Sequence, residues 1–476
     1  MNIHQHISKG VIILLLLSGL GVTVASQIPR QYIRKARFQD DFDTLRSRLT
    51  HDYPSGCRYN SKSRMITLFD SCYSTINDTT NQVTFFTMLK FLLSQIKDGH
   101  LSCSPSPLFK EDLGKRQAYF PFRPRFINKK AYIYISLNTN LSPGTEILAI
   151  NNLPIDQITN RLFQYIVSDG NIETKKYHVL GNYFYIYYFL GFGKQASFDI
   201  SYKTPNGSMG TQPLEPVLES AIPPIEEDPP SPFDRPKPKA TAVRLLRAIP
   251  PSPGLRRAST KENNLLNLSI TPNHIAVLTI QHSIKQPSTK LDLILSNSSN
   301  RLTSIRDQQI KKLVIDLRNN GGGRDLYGSL LYSYLSPGKF QYYKSLVTAT
   351  NQLPYDQYTH NTSSFNDLTP AQLEKTPAGA FQLKKEAHNN LQLISPSPNN
   401  YTGEVWFLVD GLSFSVTAEF CAIARSHHRG KFIGEETGGA YAGNTSGVQT
   451  ELLLPYTQFR VSFGSIQYNM AVRPDK

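Results

Sequence analysis

Cysteine is scarce in this chain: Cys57, Cys72, Cys103 and Cys421 are the only four in 476 residues, and no CxxC pair occurs. That spacing argues against a structural zinc site built on paired thiolates. Three full disulfide pairings are open, Cys57 with Cys72 being the most local, and free thiols are the alternative. Beyond the amino terminus the chain also lacks any run apolar enough to cross a bilayer. The phosphate-cradling glycine patterns are missing: no G-x-G-x-x-G occurs, and Gly338-Lys339 leads into Phe340 rather than Ser or Thr. Acidic residues are outnumbered, 36 against 51 basic ones, for a net charge of +15. The basic residues are nevertheless spread along the chain and do not line one periodic face, which points to a solvated surface and away from a nucleic-acid footprint. No metal, no cofactor and no nucleic-acid partner is expected.

What is present begins with a leader. Lys9 precedes the apolar run 11–17, and Val24-Ala25-Ser26 offers small residues before Gln27, so residues 1–26 read as a cleaved signal peptide. The expected location is secreted or periplasmic, with no stable membrane insertion after cleavage. Residues 27–112 read as a helical domain, with Phe85, Leu89, Leu92 and Ile96 at i, i+4, i+7 and i+11. Gly99 marks its exit, with His100 just beyond. Residues 113–211 read as β-rich, through KAYIYISL and TEILAINNLPI. Residues 212–262, including IPPIEEDPPSPFDRPKPK, are too poor in large apolar side chains to offset ordering entropy and read as a linker.

Residues 263–476 alternate strand-like runs (HIAVLTI, KKLVIDLR, EVWFLVD) with helical spacing (Leu326, Leu330, Tyr334; Val416, Phe420, Ile423). Such alternation predicts an α/β core with mainly parallel strands. The polar, poorly periodic stretch 337–400 reads as an insertion or lid.

Two strand-to-helix junctions in this core carry chemistry. In VIDLRNNGGGRDLYG, Gly321, Gly322 and Gly323 leave backbone N–H groups uncovered at a helix start, which suits an anion or a developing oxyanion. In VDGLSFSVTAEFCAIA, Ser413 and Ser415 stand at the entrance of a second helix, where serine is a preferred cap but where a nucleophile would also gain from the dipole and from the next N–H.

Together, VIDLRNNGGG, FLVDGLSFSVTAEF and FIGEETGGA resemble the C-terminal processing (tail-specific) serine peptidases, in the branch that includes the tricorn core and interphotoreceptor retinoid-binding protein. The likeness extends to DFDTLRSRLTHDYP, IKDGHLS and PGTEILAINNLPI. It implies a crotonase-like (ClpP-like) α/β core, a PDZ-like β segment and hydrolysis of protein or peptide substrates through an acyl-enzyme. By the same resemblance Ser415 is the nucleophile, with Glu419 behind it and Ser413 a neighbouring hydroxyl. The tail-specific base is a lysine, but Ala440 stands in that place; the tricorn-like base is a histidine, matched by His100. The N–H of Val416 with that of Gly321 or Gly322 would form the oxyanion hole. The orienting glutamate of tricorn-like relatives has no match near AVRPDK, which leaves Glu435 or Glu436 for that role. An inactive relative binding a peptide or apolar ligand, and an esterase, are the alternative readings.

Overall fold

The computed structural model describes residues 33–136, 141–222, 266–280, 304–305, 307–352, 357–361 and 369–474; the expected signal peptide and residues 223–262 of the expected linker lie outside these. The chain opens with helices α1 (Lys35–His51), α2 (Lys62–Ser74) and α3 (Gln82–Ile96). The sequence sets the limits of α3. Asn81 and Thr84 form a reciprocal capping box at its start, and Lys97 ends it in the left-handed conformation at φ 65°. Its inner face buries Phe85, Leu89, Leu92 and Ile96, the periodic positions, each contributing about 1.5–3 kcal/mol by leaving water. Strand β1 (Ser102–Ser104) and α4 (Pro107–Arg116) follow.

A second unit contains β2 (Ala118–Tyr119), β3 (Phe122–Ile127), β4 (Lys130–Ser136), β5 (Glu146–Ile150), β6 (Leu153–Pro154), α5 (Ile155–Leu162), α6 (Thr174–Phe192), β7 (Phe198–Lys203), β8 (Met209–Leu214) and β9 (Val217–Leu218). Its sheet runs β3-β4-β5-β7-β8, with β6 beside β5, around a core that includes Phe120, Ile147, Ile158, Phe184 and Ile200. Two readings are corrected here. The stretch expected to be β-rich also holds the 19-residue segment α6, helical on both sides of a kink at Tyr183 although its crowd of tyrosines and phenylalanines is strand-like by propensity. The expected linker does not start at 212, because β8 continues to Leu214 and β9 pairs with β2.

The remainder supplies β10 (Leu266–Ile270), β11 (Ile275–Ile280), β12 (Lys312–Asp316), α7 (Asp325–Ser333), β13 (Phe340–Gln341), β14 (Tyr343–Thr348), β15 (Thr359–Asn361), β16 (Leu373–Lys375), β17 (Phe381–Leu383), β18 (Leu393–Ile394), β19 (Glu404–Val409), α8 (Val416–Ser426), β20 (Lys431–Gly434), β21 (Gly443–Leu453) and β22 (Arg460–Met470). A five-stranded sheet runs β10-β11-β12-β19-β20, parallel from β11 to β20. Because β12 and β19 are parallel neighbours, the junctions that follow them leave the sheet side by side at its carboxyl edge, where open α/β sheets place ligands.

A seven-stranded sheet runs β15-β21-β22-β14-β17-β16, with β1 paired to β22. This corrects the reading of 337–400 as an insertion or lid, since that stretch contributes β14 to β17 to the sheet. The carboxylate of Asp41 accepts from the N–H groups of Tyr456 and Thr457, tying α1 to the turn between β21 and β22. Phe459, Val461 and Phe463 join the core of the amino-terminal helices. All four cysteines are free thiols, so Cys57 and Cys72 are not paired.

Candidate active site

The turn that leads to Ser415 is built mostly from its own residues. The Asp410 carboxylate accepts from the N–H groups of Leu412 and Ser413 and from that of Asn319 on the neighbouring junction. Ser413 is fully buried, donates its hydroxyl to the Leu317 carbonyl at 2.8 Å and accepts from the Asp410 N–H, bracing the turn from inside. Ser415 differs. It occupies the cap position of α8, yet its side chain makes no cap bond, and its backbone is held at φ 55°, ψ −129°. That region costs a non-glycine residue about 1–3 kcal/mol, and surrounding structure must hold it there.

The Oγ of Ser415 lies 3.1 Å from Nε2 of His100, across 315 residues of sequence. The α3 exit loop brings the histidine, and β1 pins that loop to β22 through Ser102 opposite Ser462. Next to it the Gly99 N–H donates to Asp169 Oδ1 at 2.6 Å, and the His100 N–H donates to Asp98 Oδ1 at 2.8 Å. The imidazole lies against the Phe414 ring, with centroids 4.4 Å apart. Burial pushes its pKa down to about 4; Asp169 opposes this, while Lys175 and Arg58 reinforce it. The ring therefore stays neutral at neutral pH, as a general base requires.

Neither Glu435 nor Glu436 takes the orienting position expected of it. Glu435 Oε2 instead meets His178 Nε2 at 2.7 Å and the Gly411 N–H at 3.2 Å, and Glu436 is exposed. The carboxylates around His100 are Asp98, on the histidine's own loop, and Asp169, on the loop before α6; sequence reasoning singled out neither. Asp98 Oδ1 is 3.8 Å from His100 Nδ1, a buried nitrogen with no hydrogen-bond partner. Burial, then the charge of Asp169, pushes the Asp98 pKa up to about 6. Asp98, His100 and Asp169 place potential metal-ligating atoms within 4.8 Å of one another. Their oxygens, however, already accept from Tyr53 and three backbone N–H groups, which is the bonding of a carboxylate frame around the imidazole. The DGH sequence carried one signal for Asp98, its adjacency to the histidine; Asp169 had none.

The two candidate glycines separate clearly. The Gly322 N–H is taken by Asn320 Oδ1 at 3.0 Å, and at φ +94° a Cβ there would lie 2.7 Å from the Phe414 carbonyl and 2.8 Å from the Val416 nitrogen. Gly322 is thus the close-approach residue that lets the two junctions touch. Gly321 faces open space, and its N–H and that of Val416 have no partner among the described residues. Ala440 gives its N–H to Asp169 Oδ2. Glu419 is buried one turn into α8, where Tyr343 and Asn444 donate to it, and burial pushes its pKa up to about 7.

Residues 275–475 match the model of peptidase family S41. The structure of mature CPAF is similar over 91% of this chain and 89% of that one, at 14% identity and a TM-score of 0.57. Mature CPAF complexed with lactacystin is similar over 91% of this chain and 90% of that one, at 14% identity and a TM-score of 0.55. At such identity these likenesses establish a shared mixed α/β fold. No curated protein matches the sequence. The family match thus falls on the strand-and-helix region from 275 to 475, which carries both junctions and Ser415 and resembles peptidase family S41.

Proposed function

We propose that the chain is a secreted serine peptidase that cleaves protein or peptide substrates through an acyl-enzyme on Ser415. The observation that carries this is the 3.1 Å approach of His100 Nε2 to a serine hydroxyl that does not cap its helix. With the ring proton on Nδ1, facing Asp98, the Nε2 lone pair takes the hydroxyl proton as Oγ attacks the substrate carbonyl. Asp98 is the orienting carboxylate in this reading, in place of Glu435 or Glu436.

The oxyanion forms at the N–H groups of Val416 and Gly321, where one such donor is worth about 3 kcal/mol. Collapse of the tetrahedral intermediate breaks the C–N bond, and the leaving amine takes the proton back from Nε2. Water, deprotonated by the same nitrogen, then releases the acid and regenerates Ser415. We read the parallel sheet as a crotonase-like core and the β3–β8 unit as a PDZ-like support. Residues 1–26 supply the export signal, so the amino terminus of the exported chain should be Gln27.

Labelling by a fluorophosphonate tests the chemistry. The wild-type chain reacts, Ser415→Ala does not label at all, and His100→Ala labels more slowly by up to about 10⁶-fold. A folded wild-type chain that neither labels nor cleaves denatured protein refutes the hydrolase and favours a ligand-binding relative.

A further inference from the structure

We propose that Lys175 is a positioning residue of this site, a buried ammonium that ties the residue before His100 to the residue before Ser415. The proposal rests on the Ser415–His100 reading. Its ground is one coincidence of contacts. Lys175 Nζ donates to the Gly99 carbonyl at 2.7 Å and sits 3.4 Å from the centroid of the Phe414 ring. Gly99 and Phe414 are 315 residues apart, and each immediately precedes one member of the pair. The Phe414 ring in turn packs on the His100 imidazole, so the lysine, the phenylalanine and the histidine form one stack at the seam.

The surroundings are shaped for this lysine. A Cβ on Gly99 would come within 2.9 Å of Lys175 Nζ and of the Phe414 ring. A Cβ on Gly411 would come within 2.4 Å of the Thr174 carbonyl carbon, and one on Gly438 within 3.2 Å of Lys175 Cβ. Three glycines, on the histidine turn, the nucleophile turn and the turn after β20, thus admit the first turn of α6. A desolvated cation over an aromatic face is attractive, and a displacement of about 1 Å in a reacting group can cost about 100-fold in rate.

The charged and titratable groups around His100 are Asp98 on its own loop, Asp169 on the loop before α6, Lys175 on α6, and Arg58, Tyr53 and Tyr59 from the segment after α1. Burial pushes the Lys175 pKa down to about 8, with Asp169 and Asp98 resisting. The ammonium is therefore the form present at neutral pH. Removing that positive charge makes it easier to protonate His100.

The test measures fluorophosphonate labelling and the NMR titration of the His100 ring in wild type and Lys175→Met. The expected result is a folded variant that labels about 100-fold more slowly, with the His100 titration moved up toward the ordinary value of about 6.5. His178→Ala, which loosens the same helix at its Glu435 contact, leaves that titration where wild type has it. Should Lys175→Met not fold, Lys175→Gln removes the charge but keeps a donor for the Gly99 carbonyl, and the same two readouts decide. A wild-type chain that labels while the lysine variant matches it in rate and titration overturns the clamp and leaves the hydrolase intact. An equal titration shift in His178→Ala also overturns it. A wild-type chain that never labels, with the titration still moving in the lysine variant, removes the hydrolase and supports the lysine's hold on the histidine.

Discussion

The two halves of the candidate site are made in opposite ways. The serine half is local: Asp410, Leu412 and Ser413 bond among themselves, the adjacent junction adds Asn319, Asn320 and Gly322, and the parallel register of β12 with β19 sets the two junctions side by side. The histidine half is assembled from a distance. His100 follows α3, Asp169 precedes α6, Lys175 lies on α6, Tyr53 follows α1, and Ala440 follows β20. A hydrogen-bonded turn braced by the junction beside it holds the strained serine. A neutral imidazole at a fixed place needs several chain segments to desolvate it and to satisfy the carboxylates around it.

That contrast can be broken or sharpened. The largest effect is expected at Asp98→Asn, which removes the carboxylate facing Nδ1 while keeping an acceptor for the His100 N–H. Labelling falls by up to about 10⁴-fold and the variant remains folded by circular dichroism; a change under tenfold would show that the imidazole needs no carboxylate from its own loop. Next comes the serine half. Gly322→Ala puts a Cβ 2.7 Å from the Phe414 carbonyl at a positive φ and lowers unfolding stability by about 3 kcal/mol or more. Gly321→Ala, which meets nothing within 4 Å, stays within about 1 kcal/mol of wild type by urea unfolding. Equal losses in the two would mean that the junctions do not interlock at Gly322.

Glu419 lies between the halves in size of effect. Its pKa is raised to about 7 from an ordinary 4.5, so between those values the folded chain holds a proton that the unfolded chain has released. Stability from this group is therefore greatest below pH 4.5, falls as pH rises toward 7 and is level above it. The total is up to about 3 kcal/mol. Urea unfolding of Glu419→Gln against wild type reads it, as a difference that changes across this window and is constant outside it. The smallest effect is expected at Glu435→Ala. Its partly exposed pairing with His178 is worth about 1 kcal/mol or less, and the labelling rate stays within a few-fold of wild type. A loss as large as that of Asp98→Asn would restore Glu435 as the orienting acid.

The sequence by itself determined the strands KLVID and EVWFLV, the helix entered at Val416 and the glycine junction, because a buried parallel strand and a helix start are written in runs of a few residues. It also offered Ser415 and His100 as candidates. It did not disclose the long antiparallel pair β21 and β22, whose eleven-residue strands stabilise each other only across the sheet. Nor did it disclose α6, whose aromatic residues gain their helical form from burial against β3 and the neighbouring core. Only the tertiary structure decided which carboxylates face the imidazole, which glycine is pressed into a neighbour and which leaves its N–H open, and that a lysine reaches both turns. Those choices depend on desolvation and on contact between segments hundreds of residues apart, and neither quantity is a property of any short stretch of chain.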